Sequence, residues 1–150
     1  MGVQSATALH YRNRAEAFLR AVKLCRNSEV LDLLEQEPRR YLPAAALLAV
    51  HAAISFCDAV LVLKTGQQST AQNHQEASDR LSTTCRTLRL DESGVRHFAW
   101  LVSKKDSIAY GDRRMPETDL LLSVDKVEKF TRWVYSNFAD LAPEESNDGY

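Results

Sequence analysis

Strand-forming pattern is what this chain has least of. No stretch of alternating β-branched residues reaches strand length, and glycine and proline number only five and four in 150 residues. Sheets need period-two alternation between turn signals, so the sequence points away from any β architecture. Net charge is scarce too: the formal value of -1 excludes a globally basic nucleic-acid binder, though not a local cationic patch. Cysteine is limited to Cys25, Cys57 and Cys85, an odd, widely spaced set with no Cys-x-x-Cys pair. Such usage fits reduced thiols packed as small hydrophobes in a cytoplasm better than a disulfide framework.

The motifs of common catalytic machinery are also missing. There is no Gly-rich phosphate loop, Walker pattern or Ser-His-Asp signature. His10, His51, His74 and His97 are scattered, with no His-x-x-x-His or Glu-x-x-His cluster, so neither a metal nor a cofactor is expected. Residues Met1 to Arg14 lack the apolar core of a signal peptide. The one long apolar run, Leu42 to Leu63, is about long enough to span a bilayer. It contains His51 and Asp58, and a mid-membrane Asp is costly. The run therefore reads as the buried central helix of a soluble bundle, with no membrane partner and a cytoplasmic location.

What the chain does have is helical spacing, repeated from end to end. A first helix starts near Ser5 or Thr7 with Ala15, Phe18, Leu19, Val22 and Cys25 as its stripe. After a break at Asn27-Ser28, Val30, Leu31 and Leu34 read as a short helix ending near Pro38. Pro43 suits the first turn of a second long helix, which Gly66 stops. A third helix runs from about Ala71 to Leu88. A fourth, capped by Asp91 or Ser93, continues through Lys105 and Ala109 to Gly111. A loop from Asp112 to Leu122 leads to a last helix capped by Ser123, with Val124, Val127, Phe130, Val134, Phe138 and Leu141 as its stripe. The expected fold is all-α, an up-and-down bundle of four to five main helices: one domain over residues 1–142 and a polar tail over 143–150.

The segment from Lys104 to Arg114 carries the clearest functional hint. Lys104, Lys105, Tyr110, Arg113 and Arg114 gather cations and a phenol around a helix end and the turn after it, an arrangement suited to phosphate. Trp100 and Trp133 are expected to anchor a core or an interface. His51 and Asp58, two turns apart on one side of the central helix, are expected to join a polar network across the bundle.

The order of these features resembles the HEPN superfamily of nucleotide-binding domains. The likeness rests on the alanine-rich helix Ala44–Ala59, Gly66 with a helix opening near His74, the Lys104–Asp112 segment, and the closing helix from Ser123. It covers roughly residues 9 to 141. Many members are metal-independent ribonucleases whose late helix carries an Arg, four to six residues, then a His. Here Lys105 takes the place of the Arg, Asp106 that of the neighbouring polar residue and Tyr110 that of the His. A phenol near pKa 10 is a poor base at neutral pH, and Lys is a point charge rather than a fork.

The resemblance therefore implies a non-catalytic module binding a nucleotide, RNA or a protein of the nucleotidyltransferase type. The alternatives are a ribonuclease of the toxin-antitoxin kind with a Lys/Tyr motif (catalytic candidates Lys105, Asp106 and Tyr110) and a purely structural dimer. It also implies a homodimer with facing late helices.

Overall fold

A computed structural model describes residues 2–26, 42–68, 74–110 and 115–144, the side chains of Arg26, His74, Ala109 and Tyr110 excepted. The expected short helix at Val30–Leu34 lies outside the described residues. The fold is an all-α helical bundle: α1 (Val3–Arg26), α2 (Leu42–Thr65), α3 (His74–Leu88), α4 (Ser93–Ser103), α5 (Lys105–Tyr110) and α6 (Glu117–Asn137), then a 3₁₀ turn at Ala139–Leu141.

The central position of α2 follows from its composition. It carries no charged residue between Leu42 and Lys64 except Asp58, and its buried residues cover nearly the whole circumference. A helix apolar on every side must be surrounded, and α1, α3, α4, α5 and α6 all touch it. Its length and composition would also suit a bilayer, but most of it is buried inside the bundle. The α1–α2 pair is antiparallel: Gln4 Nε2 donates to the Leu63 carbonyl at 2.6 Å at one end, while Phe18 meets His51 further along. Buried alanines let the backbones come close, Ala8 and Ala15 on α1 and Ala45, Ala49, Ala52 and Ala53 on α2. Gly66, at φ +77°, ends α2 with its N–H on the Val62 carbonyl, the left-handed stop expected of it.

The second half is held by aromatic rings. Phe98 of α4 meets Phe130 of α6 at 5.5 Å between centroids, Phe130 stacks on Trp133 at 5.8 Å, and Trp133 meets Phe138 edge-on at 5.7 Å. Where α4 begins, Gly94 lies directly against Trp133: a Cβ there would come within 2.0 Å of the indole Cδ2. Trp133 also donates its Nε1–H to the Asp91 carbonyl at 3.3 Å. Trp133 is thus the core anchor expected of it.

Two helix boundaries and the burial of one cysteine differ from the sequence expectation. Ser123 does not cap α6; it is a buried residue inside it, donating to the Asp119 carbonyl at 2.9 Å. The helix starts instead at Glu117. Pro116 (φ -54°, ψ 140°) sets the backbone and offers its carbonyl to Asp119 and Leu120, while Glu117 and Asp119 favour the positive end of the dipole. The helix read as continuous through Lys105 breaks at Lys104. There the N–H bonds the Leu101 carbonyl, three residues back, and the Ser103 hydroxyl takes the Trp100 carbonyl at 2.6 Å. A local side-chain bond of that kind competes with the helical ladder. Finally, Cys57 and Cys85 are buried but Cys25 is only half-buried. Burial pushes the Cys57 thiol well up and that of Cys85 to about 11, so neither is a ready nucleophile.

Candidate anion-binding surface

The break at Lys104 separates two neighbouring lysines. Lys104 turns back along α4, where its Nζ stands 5.6 Å from the centre of the Trp100 ring. The pair is at i, i+4, the spacing at which helix side chains meet. Lys126, from the first half of α6, reaches the same ring at 5.3 Å. Two cations from two helices thus converge on one indole, which is half-buried where α4 packs against α6. Cation–π attraction contributes about 0.5–1 kcal/mol at such partly exposed positions, enough to hold each ammonium but not to neutralise it.

His97 adds to this face. Burial lowers its pKa first, and Lys126 and Lys129 lower it further, with Asp125 opposing. Its Nδ1 is buried without a hydrogen-bond partner. Arg96 is exposed beside it on α4. Lys129 bonds Asp125 at 2.9 Å, so part of the positive charge is already compensated. The surface that remains is cationic and aromatic, built from Trp100, Lys104, Lys126, His97 and Arg96.

Lys105, by contrast, opens α5, which packs on α2, and its charge acts on His51. Lys104 and Lys105 therefore serve two separate places. Asp106 is exposed in the first turn of α5. Tyr110 is the last residue of α5 and its side chain lies outside the described set, as do Arg113 and Arg114. Trp100, expected to anchor a core or an interface, is half-buried and packs against the core, with its ring at a seam under two lysines. His51 and Asp58, expected to join a polar network, lie among different neighbours on the central helix. His51 stacks on Phe18, while Asp58, half-buried, acts on the adjacent Cys57 thiol.

Sequence reasoning missed Lys126, His97 and Arg96 as members of a common surface. The Trp100–Lys104 spacing was readable; the approach of Lys126 needed the α4–α6 packing. Among the described residues, no group of three or more His, Cys, Asp or Glu side chains gathers as metal ligands would. No family model, curated protein or solved structure matches the chain.

Proposed function

We propose that the chain is a non-catalytic, HEPN-like binding module that takes the phosphate groups of RNA or a nucleotide on the α4–α6 face. The observation that carries this reading is the convergence of Lys104 and Lys126 on the Trp100 ring. Lysines held by an aromatic face lose less freedom on meeting a phosphate, and an indole edge beside them suits an unpaired base. The resemblance supplies the nucleotide or RNA as ligand class. It also supplies the homodimer, for which Leu121 and Leu122, exposed neighbours on α6, are available apolar surface. The three thiols, all free, suit a cytoplasmic protein.

The test is titration of short single-stranded RNA and of ATP while following Trp100 emission, with Trp133→Phe as background so that one indole reports. Saturable binding that weakens as salt rises, and weakens further in Lys104→Ala/Lys126→Ala with the fold intact, supports the reading. Unchanged affinity in that double variant sinks it. Cleavage of a mixed RNA pool without metal, lost in Tyr110→Phe, would favour the ribonuclease instead. Light scattering at the monomer mass would remove the dimer.

A further inference from the structure

A second group of cations meets on the far side of the Lys104 break. Phe18 of α1 is its floor. The His51 ring of α2 stacks on Phe18 with centroids 5.5 Å apart and planes 27° apart. One turn earlier on α1, the Arg14 guanidinium lies 5.9 Å from the same ring centre. Lys105 begins α5, and α5 packs on α2, which brings its ammonium within electrostatic reach of the imidazole. Phe18, His51 and Lys105 are half-buried and Arg14 is exposed, so solvent reaches the group.

We propose that Arg14, His51 and Lys105 form a second anion site, for the phosphate group of a monoester, laid over Phe18 where α1, α2 and α5 meet. The charges that act on His51 are Lys105 from α5 and Arg14 from α1, both positive, and together with burial they hold the imidazole towards its neutral form. Gathering like charges around a partly buried base is unfavourable unless something compensates. A dianionic phosphate reverses the balance: it pairs with the ammonium and the guanidinium and makes the protonated imidazole a third donor. Binding at this site therefore draws a proton onto His51. Arg supplies a planar fork and Lys a point charge, the two complementary ways of holding phosphate oxygens. This site is independent of the α4–α6 reading, because none of its three polar residues belongs to that face.

The experiment is an NMR pH titration of the His51 ring protons in inorganic phosphate, in AMP, in adenosine, and in chloride of matched ionic strength. Phosphate and AMP are expected to raise the His51 midpoint by about one unit, the size of effect an adjacent opposite charge produces, and adenosine to leave it unmoved. A rise with AMP but not with inorganic phosphate assigns the site to a nucleotide rather than to the free anion. Lys105→Ala and Arg14→Ala each have two expected signatures: a higher midpoint without phosphate, since a cation is gone, and a smaller rise on adding it. A merely structural His51 shows the first signature without the second. The proposal is overturned if phosphate and AMP do no more than chloride, or if the rise survives both substitutions. Trp100 emission, read in the Trp133→Phe background under the same conditions, reports the other face, so failure of one site is read separately from failure of the other.

Discussion

The α1–α2 pair and the α4–α6 pair both bring helices close together, but by different means. Along α1 and α2 the approach is spread over many buried alanines, from Ala8 and Ala15 to Ala45, Ala49, Ala52 and Ala53. Between α4 and α6 it is concentrated at one point, Gly94 against Trp133, with Phe98 and Phe130 filling the space beyond. A distributed seam tolerates the loss of one methyl but not the arrival of a long or charged side chain. A point contact is sensitive to a single methyl. The rims differ as well: the α4–α6 seam leaves Trp100 open at its edge under two lysines, and the α1–α2 seam presents Phe18 beneath His51.

The largest expected effect is at the alanine seam. Ala49→Arg or Ala52→Arg introduces a long cation where exposure is 0%. Each is expected to cost about 3–5 kcal/mol, as an uncompensated buried charge does, read as a lower urea midpoint. A variant melting within a degree or two of wild type would place that face on the surface. The mild change, Ala15→Gly, should cost only about 1 kcal/mol.

Next comes the point contact. Gly94→Ala is expected to cost about 1–3 kcal/mol, because the new Cβ falls 2.0 Å from Trp133 Cδ2 and the indole must move. In a double-mutant cycle with Trp133→Phe the double variant should lose less than the sum of the two single losses, a coupling of at least about 0.5 kcal/mol. Strict additivity would mean that the contact is relieved by backbone movement, and that the contrast between the two seams is weaker than drawn.

How much of this was legible follows from the same contrast. Helical periodicity is a local property, so the stripes of α1, α2 and α6 could be read directly, as could the left-handed stop at Gly66. The central place of α2 was legible because a helix apolar all round has no other stable position. Gly94 carries no signal in sequence, since its meaning depends on Trp133, thirty-nine residues away. The Lys104 break was hidden because the apolar stripe continues across it. With the break unseen, Lys104 and Lys105 read as one patch, whereas Lys104 lies over Trp100 and the charge of Lys105 acts on His51.

Among the described residues, two half-buried histidines give the comparison a pH axis, one beside each seam. His51 and His97 both have pKa values held below the ordinary 6.5, each first by burial and then by neighbouring cations, Lys105 and Arg14 for His51, Lys126 and Lys129 for His97. The unfolded chain therefore binds more protons around pH 6, and stability rises with pH there. Stability from these groups is complete above about pH 6.5 and falls as pH drops through the unfolded value towards each folded one. His51→Gln should flatten that slope in chloride buffer. An unchanged slope in both His51→Gln and His97→Gln would show that the carboxylates alone set the acid limb.

The smallest effect separates two helix ends that stop in the same way with different residues. Gly66 ends α2 at φ +77°, and Arg89 ends α3 at φ 57° with the Leu90 N–H on the Cys85 carbonyl at 2.9 Å. Only glycine adopts the left-handed region without a Cβ penalty, which for other residues is about 1–2 kcal/mol. Arg89→Gly removes that strain but enlarges the freedom of the unfolded chain, so a net gain of about 0.5 kcal/mol is expected. Gly66→Ala should lose about 1 kcal/mol by the reverse argument. Arg89 is exposed, so its charge and stem contribute little that the substitution would forfeit. If Arg89→Gly instead destabilises, the arginine side chain must make a contact worth more than the strain. Arg89→Asn, which tolerates the same backbone region without glycine's entropy, then decides between strain and side-chain contact: it should match the wild type or exceed it if strain is what matters, and fall with Arg89→Gly if the contact is.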